Sequence, residues 1–218
     1  VNPCKKVKRM GNSDSRSLNF WTLDEYKQFI QTMEPGTRYY LIFEMLFWTG
    51  CRIGELLAIT KADINFEKNQ LSINKTYYRT GMQDIITEPK TKQSFRTIEI
   101  PEFLKEEIKE FVDGHYGMPD TERLFPVVQE AVQHKMKRQI ELAGVKKIRV
   151  HDLRHSHVAY LIEKGVEPLL IRDRLGHKDI RITLNTYGHL YPNQQRKIAN
   201  LLDNENAVTG LGEERDEC

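Results

Sequence analysis

Apolar residues recur along the chain at two spacings, and the switch between them divides it into parts. From Phe20 onward the spacing is helical. Thr22 is a plausible N-cap with Glu25 three residues on, and Trp21 is placed to staple against Tyr26. This first helix is expected to end near Pro35-Gly36. Arg38 to Thr49 is apolar on nearly every side, as a helix buried at the centre of a core would be. Gly50 to Leu57 then reads as a turn into another helix. Between Ile64 and Ile100 the character changes. Leu71-Ser72-Ile73-Asn74 and Thr97-Ile98-Glu99-Ile100 alternate apolar with polar, and the region predicts three short antiparallel strands. Glu88 to Ser94 falls between two of them as a hairpin tip carrying Lys90 and Lys92. Pro101 opens a helix to about Val112, and another runs from about Gln129 to Ala143.

Helical spacing continues through Val150 to Tyr191. Leu153, Val158, Leu161 and Ile162 make one stripe, and Leu169, Leu170, Ile171 and Leu175 make a second. Gly165 with Pro168, and then Gly176, mark stops between short helices. A last helix, Gln194 to Asp203, shows Ile198, Leu201 and Leu202 on one side and is expected to dock on its own subunit or on a neighbour. The fold class that results is α+β, mostly α-helical with a small three-stranded antiparallel sheet, over residues 20–203. Residues 1–19 read as a polar linker, and residues 204–218 as an acidic, disordered tail.

The composition narrows the class without naming a function. With 218 residues, 39% apolar and 29% charged, the chain can bury a core as one or two compact units. A net charge of +2 does not announce a nucleic-acid binder. Its distribution is more telling, because Lys135, Lys137, Arg138, Lys146, Lys147, Arg149 and Arg154 face only Glu141 and Asp152 in one stretch. That stretch is either a solvated helix face or a surface for a polyanion. Lys5, Lys6, Lys8 and Arg9 lie in the opening linker. Cys4, Cys51 and Cys218 lie far apart with no CxxC, which fits a reducing compartment and argues against structural zinc. No apolar run approaches a membrane span and no signal peptide opens the chain, so the expected location is cytoplasmic. Val1 in place of Met suggests a fragment with something upstream.

The stretch Val150 to Tyr191 also carries His151, Arg154, His155, His157, His177, Tyr187 and His189. Upstream, Arg52 and Glu55 sit one turn apart. An arginine just after a buried helix is expected to be partly desolvated, which favours a carboxylate or phosphate partner. A plain surface ion pair between the two is the alternative. No carboxylates have acid/base spacing, no phosphate-cradling glycine loop follows a strand, and HDLRHSH is not HExxH. Neither a metal nor a cofactor is expected.

Two arginines, a lysine at 90 or 92, two histidines and a tyrosine remain, and they suit attack on a phosphodiester. Attack adds charge to non-bridging oxygens that are already anionic, and two guanidiniums with forked donors can hold it. A phenol can take the backbone as a 3′-phosphotyrosyl ester and so conserve the bond for rejoining, but a pKa near 10 leaves it weak until assisted. The leaving 5′-oxygen needs a proton, which a lysine can give, and histidines can share proton handling.

Thr49-Gly50-Cys51-Arg52-Ile53-Gly54-Glu55-Leu56, His151-Asp152-Leu153-Arg154-His155-Ser156, Leu175-Gly176-His177 and Thr186-Tyr187-Gly188-His189-Leu190 resemble, in order, the four motifs of the tyrosine recombinase (phage integrase) family. The similarity runs from about Trp21 to Asn200 and looks most like integrases of conjugative transposons and prophages. The resemblance implies a catalytic domain that clamps double-stranded DNA together with a separate core-binding domain. It also implies metal-free strand cleavage and exchange through a Holliday junction, in a homo-tetramer linked by exchange of the C-terminal helix. It implies as well an excision or host architectural factor as a further partner. By position, Arg52 and Arg154 would hold the phosphate, His151 and His177 would complete the site, and Tyr187 would be the nucleophile. Glu55 would be the acid supporting the first arginine. Lys90 is the assigned lysine and Lys92 its rival. Lys92, Lys135, Arg138 and Lys147 are candidates for DNA contact. A type IB-like topoisomerase and a catalytically silent architectural DNA-binding protein are the competing readings.

Overall fold

The computed structural model describes residues 19–89, 94–115, 117–191, 199–200 and 202–205. Helix α1 (Leu23–Ile30) starts where the capping box predicts. Glu25 N donates to Thr22 Oγ1 at 3.3 Å and Thr22 N donates to Glu25 Oε2 at 2.8 Å. It stops earlier than Pro35-Gly36, because Thr32 N and Met33 N bond back to Phe29 and Ile30 and tighten the end into turns. Trp21 packs on Phe29, with ring centroids 4.8 Å apart.

Helix α2 (Arg38–Thr49) is buried from Leu41 through Phe47 and runs through the main core, as its apolar circumference requires. Helix α3 (Ile53–Leu56) follows a sharp turn. Strands β1 (Ile64–Asn65), β2 (Gln70–Ile73), β3 (Thr76–Thr80), β4 (Gln83–Thr87) and β5 (Arg96–Glu99) come next, then α4 (Glu102–Asp113) and α5 (Gln129–Ala143). The remaining helices are α6 (Asp152–Glu163), α7 (Pro168–Leu175) and α8 (Ile180–Tyr187).

The small antiparallel sheet is present, with three strands in the order β1-β2-β5. A separate two-stranded hairpin, β3-β4, stands beside it. Its turn is at Gly81, whose φ of 61° suits glycine. β4 pairs with β3 and β5 pairs with β2, so the strands on either side of the expected tip Glu88 to Ser94 do not form a hairpin with each other; residues 90–93 of that tip lie outside the described residues. Alternation was legible at Leu71 to Asn74 and Thr97 to Ile100, which form β2 and β5, whereas the hairpin strands β3 and β4 do not alternate in burial. Which strands pair is a long-range outcome that alternation does not specify.

Two apolar clusters organise the helices. The larger draws on α1, α2, the sheet, α4 and α5. The smaller joins Val158 and Ile162 of α6, Ile171 and Leu175 of α7, and Tyr187 of α8. Helix α6 serves both, since Leu153 packs into the first cluster and Val158 into the second. The polar residues discussed below lie where these clusters meet. Of the expected last helix, residues 199–200 and 202–203 are described and helical, and the helix includes 204–205, past the expected tail boundary. No helix among the described residues is long and apolar enough to cross a membrane.

Candidate active site

Gly50 ends α2 in the left-handed conformation, with φ 66°. A Cβ there would stand 2.5 Å from Cδ2 of His157, so only glycine lets α6 pack this close. The turn releases Arg52 and Glu55 at the start of α3. Glu55 is only 5% exposed, and its carboxylate is shared by two arginines. Arg52 Nη1 donates to Oε1 at 2.8 Å, and Arg52 N to Oε2 at 2.9 Å. From the inside, Arg96 Nη2 donates to Oε2 at 2.8 Å and Arg96 Nη1 to Oε1 at 3.3 Å. Burial alone would raise the Glu55 carboxyl, but Arg96 and Arg52 outweigh it and hold it at about 2. The pair is not a plain surface bridge. Arg52, 42% exposed, keeps donors free of Glu55 on the open side.

Arg96 was not among the residues singled out by sequence. Its signal was available, because the alternation that turns Ile98 inward turns Arg96 inward too. Arg96 also donates to the carbonyl of Arg174 at 2.8 Å, so it ties β5 to α7.

Arg154 is 3% exposed. Its Nη1 donates to the Gly50 carbonyl at 2.8 Å and its Nη2 to the Leu175 carbonyl at 2.7 Å, which fixes the guanidinium between the ends of α2 and α7. Those bonds use two of its five N–H groups. Burial, then the neighbouring charge of Arg52, pulls Arg154 down to about 9, so the site is one that an anion would relieve. Gly176 caps α7 at φ 67° and turns the chain toward His177. His177 Nδ1 pairs with Thr183 Oγ1 at 2.9 Å. Burial and then the cations Arg154, Arg52 and Arg96 hold His177 down at about 4.

Tyr187 closes α8 and is buried, its ring in the smaller cluster. Its hydroxyl lies 2.6 Å from Nδ1 of His155. Burial pushes the phenol up to about 12, against the opposing field of Arg154 and Arg52. His151 is exposed at the rim, within electrostatic reach of Arg154, Asp152 and Arg52. Of the sequence-predicted set, Arg52, Glu55, His151, Arg154, His177 and Tyr187 thus share one electrostatic neighbourhood. Lys90 and Lys92 lie outside the described residues. His157 belongs to the core, where Nε2 accepts from Arg174 Nε at 3.1 Å, and His189 is exposed.

A cleft of about 490 Å³ runs from His151 and Arg149 along α5, lined also by Lys147, Lys137 and Gln133. Lys147 and Arg138 are exposed, whereas Lys135 lies over the Tyr39 ring at 5.9 Å. Lys137 reaches the cleft because it sits one turn beyond Gln133 on the same face of α5. Among the described residues, no three His, Cys, Asp or Glu side chains gather as a metal-ligand set.

The family model described as "Phage integrase family" matches residues 19–194, which is most of the chain and all of this site. The chain belongs to the phage integrase family. This integrase-family chain is 32% identical to the ICEBs1 integrase of Bacillus subtilis (strain 168), over 93% of its own length and 58% of the relative's. It therefore spans little more than half of that relative. Its fold is similar to that of the Tn1549 transposon integrase in complex with a circular intermediate DNA, with TM-score 0.73 and 20% identity over 89% of this chain and 68% of the other. It also resembles the catalytic domain of bacteriophage HP1 integrase, with TM-score 0.56 and 18% identity over 88% of this chain and 94% of that domain.

Proposed function

We propose that this chain is the catalytic domain of a site-specific recombinase that cleaves and rejoins double-stranded DNA through a 3′-phosphotyrosyl intermediate, to integrate or excise a mobile element. The observation that carries the reading is the convergence of Arg52, Arg154, His177 and Tyr187, brought from four separate segments into one field. A hydroxyl beside two anchored guanidiniums is what in-line displacement at a phosphodiester requires. The arginines take the charge that develops on the non-bridging oxygens, and they need no reorganisation because Gly50, Leu175 and Glu55 already hold them. Tyr187 Oη bonds to phosphorus and the bond to the 5′-oxygen breaks. The leaving oxygen takes a proton from Lys90, for which Lys92 is the rival. Reversal with a different 5′-hydroxyl rejoins the strand.

Lys147, Arg138 and Lys135 are proposed DNA contacts, and Lys137 joins them because it lines the same cleft as His151. Such contacts to phosphate position the duplex, and affinity should fall steeply with salt. The acting form on this reading is a homo-tetramer on DNA joined by exchange of the last helix, working in the bacterial cytoplasm.

The test is covalent trapping on a pool of nicked duplexes randomised around the nick. The chain should form a denaturation-resistant DNA adduct, and Tyr187→Phe should abolish it while retaining binding. An adduct that persists in Tyr187→Phe would overturn the reading.

A further inference from the structure

Beyond the residues that the family resemblance assigns, the structure presents one more group on the reacting oxygen. We propose that His155 takes the proton of the Tyr187 hydroxyl during attack, and that Asp152 sets the imidazole tautomer that can accept it. The proposal rests on Tyr187 being the nucleophile. His155 Nδ1 lies 2.6 Å from Tyr187 Oη, the hydrogen bond that holds this phenol. The other ring nitrogen, Nε2, faces Oδ1 of Asp152 at 4.0 Å.

Asp152 is buried and remains a carboxylate. Its oxygens receive Arg149 Nη2 at 2.8 Å, Arg149 Nε at 3.1 Å and Arg149 N at 2.8 Å. A fixed negative charge on the Nε2 side favours the proton there, which leaves Nδ1 with a free lone pair toward the phenol. The order of groups is phenol, imidazole, carboxylate, as in a nucleophile–base–orienter arrangement.

The charged and titratable groups facing His155 are Asp152 and Arg154 of α6, His151 at its N-cap, Arg149 in the turn before it, and Tyr187 of α8. Burial, then His151, keeps this imidazole below its ordinary value, so it is neutral and able to accept at pH 7. In the step itself, the Oη–phosphorus bond forms as the phenol proton passes to Nδ1, and the imidazolium is stabilised by Asp152. The bond to the 5′-oxygen breaks as that oxygen takes its proton from the lysine. On rejoining, the proton returns from Nδ1 to the phenol oxygen. Transfer concerted with attack is required, because a free phenol held at about 12 is far less acidic than imidazolium. His151, by contrast, stands at the rim with its ring 5.2 Å from that of His155.

The test compares wild type with His155→Gln, which keeps a polar side chain but cannot act as a base. On the randomised nicked pool, adduct formation at pH 7 should fall by about 10²–10³. The deficit should shrink as pH rises toward 9, where hydroxide can remove the phenolic proton, and DNA binding should be unchanged. A rate within about threefold of wild type, or a deficit equal at every pH, overturns the proposal. A second readout needs neither DNA nor the variant. Nitrogen NMR of the chain alone should show His155 with a bare Nδ1 and a protonated Nε2, with Nδ1 shifting in Tyr187→Phe. The opposite tautomer overturns the proposal even where the glutamine variant does not fold. If the adduct survives in Tyr187→Phe, the nucleophile assignment has failed and this inference falls with it. If it is lost there but His155→Gln reacts normally, only the inference fails.

Discussion

Arg96 and Glu55 form a forked ion pair in the floor of the site, at 2.8 and 3.3 Å, with both side chains nearly out of solvent. Arg52 binds the same carboxylate from the open side. One anion thus aims the part-exposed Arg52 while neutralising the internal Arg96.

Glu55→Gln should leave Arg96 buried without its counter-charge. The expected cost is about 3–5 kcal/mol in urea unfolding, since breaking one partner of a buried pair strands the other. The pH dependence has a defined sign. The folded carboxyl is held at about 2, below its ordinary 4.5, so its contribution is present above 4.5 and is lost as pH falls toward 2. Wild type should show that acid limb, and the glutamine variant should lack it.

Gly50→Ala should destabilise by about 2–4 kcal/mol. The left-handed backbone disfavours any Cβ, and this one would strike His157 at 2.5 Å. Because the Gly50 carbonyl also receives Arg154, the variant should lose adduct formation at temperatures where it is still folded. Thermal unfolding followed by trapping below the transition checks both.

Much of this site was readable before any coordinates. The capping box at Thr22, the all-round apolar helix to Thr49 and the short motifs that carry Arg52, Arg154, His177 and Tyr187 are each local patterns, and local patterns survive folding. What was hidden depends on how elements meet. His155 and His157 are two positions apart, about 200° around a helix, so one faces Tyr187 and the other the core. Which is which follows from the placement of α7 and α8 on α6. Arg96 sat in plain alternation, yet its partner Glu55 comes from far earlier in the chain. The pairing of β5 with β2 rather than β4 is hidden for the same reason.

Glu107 offers a stability test remote from the site. Burial, then the charge of Glu44, raises its carboxyl to about 7. A group raised in the fold contributes stability below its ordinary 4.5 and loses it as pH rises through about 7. Glu107→Gln should therefore be more stable than wild type at pH 8 by about 1–2 kcal/mol, after discounting for partial exposure. The advantage should vanish near pH 4.5. Paired denaturant curves at the two pH values decide it.

DNA affinity should rise as pH falls from 7 to 5 by more than salt effects alone explain. Burial and the cations Arg154, Arg52 and Arg96 keep His177 at about 4 in the free chain. A phosphate between the arginines would offset that field and raise the imidazole, so binding takes up protons. His177→Asn should flatten the slope, measured by fluorescence anisotropy at constant ionic strength. An unchanged slope would place the proton uptake elsewhere.

The most direct test of the central claim is peptide mapping by mass spectrometry of the covalent adduct formed on nicked DNA. The nucleotide remnant should sit on the peptide containing Tyr187, at the tyrosine oxygen. A remnant on Tyr191 or on another side chain would contradict the account, as would the absence of any adduct from a chain that binds the duplex.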